Sequence, residues 1–390
     1  MTQPDWLRMV PEVLFYVACV IWLVYRMMTS SPLLLSLESW NITRDFVVHR
    51  VLLLLGASEL IRIWRREYGP LDAVALAVCA MMSACALRCD WPDLLCTNVL
   101  VLCARHLPMR RLLTVSVATV GTVLVALVAS SLAGLIPDFV IGQAHGERMR
   151  HCLGFTYALF PAMYLFTVTC VICWLRGKRL SIVEAVFIIV ANVGMYLLTR
   201  SRLSAGLAIL FVIITMLYRF GVFSPRVGRR LLAIISWAFP LVVLATIVLT
   251  VLYAVMGPES VMGAVSKLLG NRVRRGYEGV QNLGVTLLGH NVEWVGNGLD
   301  YTGAGAQMRQ GYNWVDNLFL HAAIQYGLVY VTGLVTLYTL ATRKAYHEGE
   351  ALLVVALAFM ALHMTVDDLA LGIDYNVFLF LVASVGRRDG

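Results

Sequence analysis

The chain has 390 residues, of which 60% are apolar and 14% charged, and its mean hydropathy is +0.78. Soluble domains carry about 25% charged residues, so a large soluble catalytic domain is excluded. Any chemistry must sit in loops or between helices. The formal charge of +8 does not point to nucleic acid, because the cations fall in short clusters between apolar runs.

A helical membrane span takes about 20 apolar residues. In chain order the candidate spans are 9–29, 44–62, 71–87, 91–105, 111–136, 153–175, 181–199, 203–219, 231–256, 315–341, 350–367 and 372–386. The first holds Glu12 and Arg26 and lacks a cleavage site, so it reads as a retained span. The second is the weakest, with His49, Arg50 and Glu59 inside it. The expected fold class is an all-α integral membrane protein of eleven or twelve transmembrane helices. Residues 1–390 form one polytopic domain, with one long extracytoplasmic loop at 257–314. The nine cysteines lie mostly inside apolar runs, with no spacing that predicts disulfides or a zinc site.

Orientation follows from the positive-inside rule. Alternate short loops and tails hold Arg8; Arg62, Arg65, Arg66; Arg105, Arg110, Arg111; Arg176, Lys178, Arg179; Arg219, Arg226, Arg229, Arg230; Arg343, Lys344; Arg387 and Arg388. That is 18 of the 31 cations on one side. Both termini are therefore expected in the cytoplasm of a multi-pass cell-membrane protein. The alternation needs twelve spans, which favours keeping 44–62.

The cations expected outside carry more information. Arg148 and Arg150 precede the sixth span. Arg200 and Arg202 occupy a turn of a few residues. Arg272, Arg274 and Arg275 cluster in the long loop. Guanidinium is a rigid fork that matches phosphate oxygens. Three segments bringing it to one face predict a site for a pyrophosphate-bearing ligand. The plainer reading is snorkelling to headgroups or capping of helix ends.

Asp316 stands at the outer start of an apolar span, beside Asn317. An acid there is costly unless paired or functional. It could serve as the helix N-cap, as a general base, or as both. Tyr277, Trp294, Tyr301, Tyr312 and Trp314 suit an interfacial belt or stacking on sugar faces. Asp367 and Asp368 read as an outward helix end. No phosphate loop, His-Glu-x-x-His or Asp-x-Asp motif is present, so neither a metal nor a cofactor is expected.

Four segments together resemble a known family. Asn271-Arg272 followed by GYEGVQNLGVTLLGHNVEWVG is similar to a long-loop signature ending in "tLFGq", with Leu288 for the Phe and His290 for the Gln. WVDNLFLHAAIQYG is similar to "DNxyLxxllxyG". Arg150-His151-Cys152-Leu153-Gly154-Phe155 resembles "RhxLGF", without the Pro-Asn that commonly follows. LLTRSRLSAGLAIL resembles an "SRxxxl" span start. The family is that of the Wzy-type polysaccharide polymerases, Gram-positive-like, within the O-antigen polymerase and ligase superfamily.

The resemblance implies a glycosyltransferase that polymerises undecaprenyl-pyrophosphate-linked oligosaccharides into capsule or exopolysaccharide. Donor and acceptor would both be lipid-linked, with undecaprenyl pyrophosphate leaving at the outer face. Asp316 would be the catalytic base. Arg148, Arg150, Arg200, Arg202, Arg272, Arg275 and Asn317 would bind substrate. Membrane lipid, a chain-length regulator and a flippase are the implied partners. A ligase acting on another acceptor, or a lipid-linked oligosaccharide flippase, remains the alternative; a flippase is expected to carry more charge at mid-span.

Overall fold

The computed structural model describes residues 6–39, 41–142, 149–222, 225–296, 299 and 312–385. Arg148, Tyr301, Arg387 and Arg388 lie outside them. So do the side chains of Arg8 and Arg226.

The chain is nearly all helical. Among the described residues, seven helices are long and apolar enough to cross a membrane. These are α1 (Trp6–Thr29), α4 (Pro70–Arg88), α6 (Met109–Leu132), α7 (Leu159–Arg176), α8 (Ile182–Thr199), α9 (Arg202–Arg219) and α11 (Ala238–Met256). The other expected spans are helical too, but charged, short or broken. They comprise α3 (Arg44–Trp64), α5 (Pro92–Cys103), α14 (Leu318–Gln325), α15 (Gly327–His347) and α16 (Ala351–His363), with a 3-10 segment Val377–Ser384. Four further helices are short: α2 (Leu34–Ser39), α10 (Pro225–Ile235), α12 (Val261–Leu268) and α13 (Arg272–Leu283).

Helix starts follow ordinary capping chemistry. Ser181 and Glu184 form a reciprocal capping box on α8, with bonds of 3.1 and 2.7 Å. Pro70 opens α4, where a missing N–H costs nothing. Along α8, Val183, Phe187, Val190 and Leu197 point outward and are exposed, a face suited to lipid. Asn192 points inward and donates to Thr169 Oγ1 at 2.9 Å, a polar tie between helices in a setting where water is not there to bond either group.

The aromatic core runs through Phe15, Trp22, Tyr164, Phe166, Tyr338 and Phe378, all nearly inaccessible. Of the charges that weakened 44–62, Glu59 is ion-paired, while His49 and Arg50 are exposed. Arg105 reaches Glu59 at 2.7 Å and Asp72 at 2.7 Å, and Arg62 lies 3.9 Å from Glu59. Arg26 likewise binds Asp93 at 2.6 Å, with buried Asp374 at 3.5 Å. A lone buried charge would be far costlier than these pairs.

Two expected spans differ in a way that builds the site. The sixth helix starts at Leu159, not Leu153. Residues 153–158 stay irregular because Leu153 and Gly154 both take positive φ. A Cβ on Gly154 would come 3.0 Å from the Leu127 carbonyl. The run 315–341 is two helices with a break at Gly327 (φ +87°). The extended segment 284–290 lies across that break. Leu328 and Val329 donate to Thr286 and Leu287 at 3.0 Å each, and His290 donates to Gln325 O at 3.0 Å. The backbone groups freed by the break are thus satisfied, as an apolar setting demands.

Gly289 makes this crossing, and a Cβ there would come 2.3 Å from Gln325 O, at φ +83°. Gly289→Ala is expected to lower thermal stability in detergent by at least the 1–3 kcal/mol typical of a misplaced positive φ. Gly56→Ala, which meets nothing within 4 Å, should be neutral. Equal melting of the two variants would remove the crossing from the account.

Candidate functional site

α13 carries Arg272 and Arg275 on successive turns. It packs on α14 through two glycines: a Cβ on Gly276 would come 2.6 Å from Leu320 Cδ1, and one on Gly279 would come 2.5 Å from Val315 Cγ2. This close approach brings both arginines over the start of α14. Arg272 Nε and Arg275 Nη1 each lie 3.7 Å from Asp316 Oδ2.

Asp316 does not cap α14. Asn317 does: its Oδ1 accepts from Phe319 N and Leu320 N at 3.1 Å each. Its Nδ2 donates to Thr365 O at 3.0 Å and Thr246 Oγ1 at 3.3 Å. The Asn317 amide is thus buried and fully used by the fold. The Asp316 carboxylate accepts no hydrogen bond from any described residue, and a quarter of its side chain is exposed. Burial raises its pKa, and Asp368 adds to that, while Arg272 and Arg275 pull it down. The result is a carboxylate more basic than usual.

The walls are aromatic. Arg275 lies 4.5 Å over the Tyr312 ring and donates to its hydroxyl at 3.3 Å. Burial and the Asp316 charge push the Tyr312 phenol up to about 12. Trp314 Nε1 donates to Asp368 at 3.2 Å. Trp294 stacks on His321 at 4.1 Å and donates to Gln325 at 2.6 Å. His321 and Gln325, one turn apart on α14, share a 3.1 Å bond. Asp367 is buried beside Asp368, and burial and that neighbour raise its pKa.

Of the other expected arginines, Arg150 is tied to the turn that carries Arg200 and Arg202. Arg150 sits in a two-stranded hairpin that pairs β1 (Val140–Ile141) with β2 (Arg150–His151). It donates to Thr199 O at 3.1 Å, which ties it to the α8–α9 turn. Its guanidinium lies 6.0 Å from the Tyr157 ring centre. Burial raises the Tyr157 phenol, and the charges of Arg150 and Asp316 act on it in opposite directions. Across the turn, Ser204 bonds His363 at 2.9 Å, and Arg272 donates to Val366 O at 3.1 Å, three residues further on.

Arg200 and Arg202 are exposed and make no ion pair or side-chain hydrogen bond with described residues. Arg200 takes φ +56°, costing about 1 kcal/mol for a residue with a side chain. Arg200→Gly is therefore expected to keep or raise thermal stability. If activity still falls, the guanidinium and not the backbone is what the turn supplies. Unchanged activity would leave Arg200 as a surface residue.

Sequence reading missed Tyr157, His321 and the contact of Asp368 with Trp314. The four-residue spacing of His321 and Gln325 was the one available signal. No protein-family model matches the chain, and neither any curated protein nor any solved structure matches it.

Proposed function

We propose that the chain is a membrane polysaccharide polymerase that joins undecaprenyl-pyrophosphate-linked saccharides. The observation that carries this reading is the placement of two guanidiniums 3.7 Å from one under-bonded carboxylate at a helix start, among aromatic rings. Glycosyl transfer from a pyrophosphate needs cationic groups for the leaving group and a base for the attacking hydroxyl. Arg272 and Arg275 supply the first, and Arg150, Arg200 and Arg202 are assigned to the same task. Asp316 supplies the second. The acceptor hydroxyl attacks the anomeric carbon, its proton passes to Asp316, and the carbon–oxygen bond to pyrophosphate breaks. A pyrophosphate that draws both arginines to itself also releases Asp316, so donor binding exposes the base. The Tyr312, Trp294 and Trp314 rings offer stacking surfaces for sugars.

The reading places both termini in the cytoplasm, twelve crossings in the membrane and the Asp316 site outside. The nine cysteines are free and eight are buried, so an introduced thiol stands out. A membrane-impermeant probe is expected to label Glu293→Cys in intact cells and Arg230→Cys only after permeabilisation. The reverse pattern would sink both orientation and mechanism. The lipid-linked glycan that accumulates on deletion separates the classes. A single exposed repeat unit is the expected result. Long lipid-linked chains mean a ligase, and a unit that never reaches the outer face means a flippase.

A further inference from the structure

At the end of the bundle opposite Asp316, a cavity of about 380 Å³ gathers four cations: Arg110, Arg176, Lys178 and Arg179. Trp174 and Tyr218 form its walls, and Glu350 is its one acid. Glu350 is already held by Arg110 at 2.6 Å and by Trp174 Nε1 at 3.0 Å. Arg176 is paired with Glu184 at 2.6 Å. Lys178 and Arg179 have no carboxylate partner among the described residues, and the Lys178 ammonium lies 5.5 Å from the Tyr218 ring centre.

The turn that presents them is fixed. Gly177 takes φ +50°, Leu180 N bonds Gly177 O at 3.2 Å, and the Arg219 guanidinium holds the Leu180 carbonyl. A rule that only places cations in water does not gather them in a concavity with aromatic walls. The volume falls in the range of small-ligand sites. Just beyond the turn, Ile182 (57% exposed) and Val183 (79%) present apolar surface.

We propose that this cavity binds the phosphate headgroup of an anionic membrane lipid, with its acyl chains along α8. Lys178 and Arg179 face the phosphate, and Arg110 and Arg176 close the sides. Two cations at a membrane surface account for about tenfold or more in affinity for an anionic lipid.

The test is native mass spectrometry of the full chain in detergent, titrated with phosphatidylglycerol or phosphatidylcholine. Wild type should retain phosphatidylglycerol preferentially. Lys178→Gln with Arg179→Gln should lose about tenfold or more, while Arg229→Gln with Arg230→Gln, outside the cavity, should match wild type. A melting curve checks that each variant is folded, and Arg179→Gln alone serves if the double variant is not. A repeat with excess inorganic phosphate separates the sources. Displacement of the lipid points to a soluble phosphate ligand at the same site, and persistence points to the lipid. Equal retention by the cavity variants and wild type, or equal loss in the Arg229/Arg230 control, overturns the proposal.

Discussion

Asp316→Asn should reduce turnover on lipid-linked substrate by about 10²–10⁴-fold, the usual contribution of a general base. Asparagine keeps the size of the side chain and removes its proton acceptor. The fold should not notice, because the cap of α14 belongs to Asn317, and Asp316 receives no hydrogen bond from described residues. Unchanged melting with lost turnover is the expected result. Asn317→Ala gives the converse. It removes two cap bonds and two tie bonds, so stability should fall by about 1–2 kcal/mol or more, with turnover per folded molecule retained to a larger extent. Wild-type turnover in well-folded Asp316→Asn would move the base elsewhere, and the proposed reaction would lose its central residue.

The adjacency of Asp316 and Asn317 marks the limit of what the sequence discloses. Both are good caps, and the choice depends on where the backbone enters the helix. That is set by Leu318 N bonding Met364 O at 2.9 Å, a contact 46 positions away. The long apolar runs were legible because each helix buries or exposes whole faces, as the outward Val183–Phe187–Val190 stripe does on α8. The charged run 44–62 was ambiguous because Arg105, the partner of its Glu59, comes from a later segment that Asp72 also holds. The break at Gly327 was hidden inside an unbroken apolar run, since it exists to receive segment 284–290. The convergence of Arg272 and Arg275 on Asp316 was anticipated as a shared membrane face. Its closeness depends on Gly276 and Gly279 letting α13 approach α14, which no spacing rule in a single chain discloses.

The second large effect concerns the charges that set Asp316. Arg272→Gln and Arg275→Gln should each lower kcat by about 10²–10³-fold, the scale for removing one donor from a developing anion. Lysine at either position keeps the charge but loses the fork, so it should fall between glutamine and wild type. The same variants should also move the acid limb of the pH–rate profile, and the direction can be worked out. Arg272 favours the ionised form of Asp316. Its removal raises that pKa further, so the base becomes protonated at a higher pH and the acid limb shifts up. Asp368 acts oppositely, since its charge disfavours ionised Asp316. Asp368→Asn should therefore shift the limb down. It keeps a side chain that can still accept from Trp314 Nε1, so the aromatic wall should stand. Opposite shifts from Arg272→Gln and Asp368→Asn are expected only if the group titrating in the rate is a carboxylate between them. An arginine pair that merely held the loop in place would lower the rate of every loop variant and leave the limb where it was. Shifts of the same sign, or none, would assign the titration to another group and leave Arg272 and Arg275 as phosphate ligands alone.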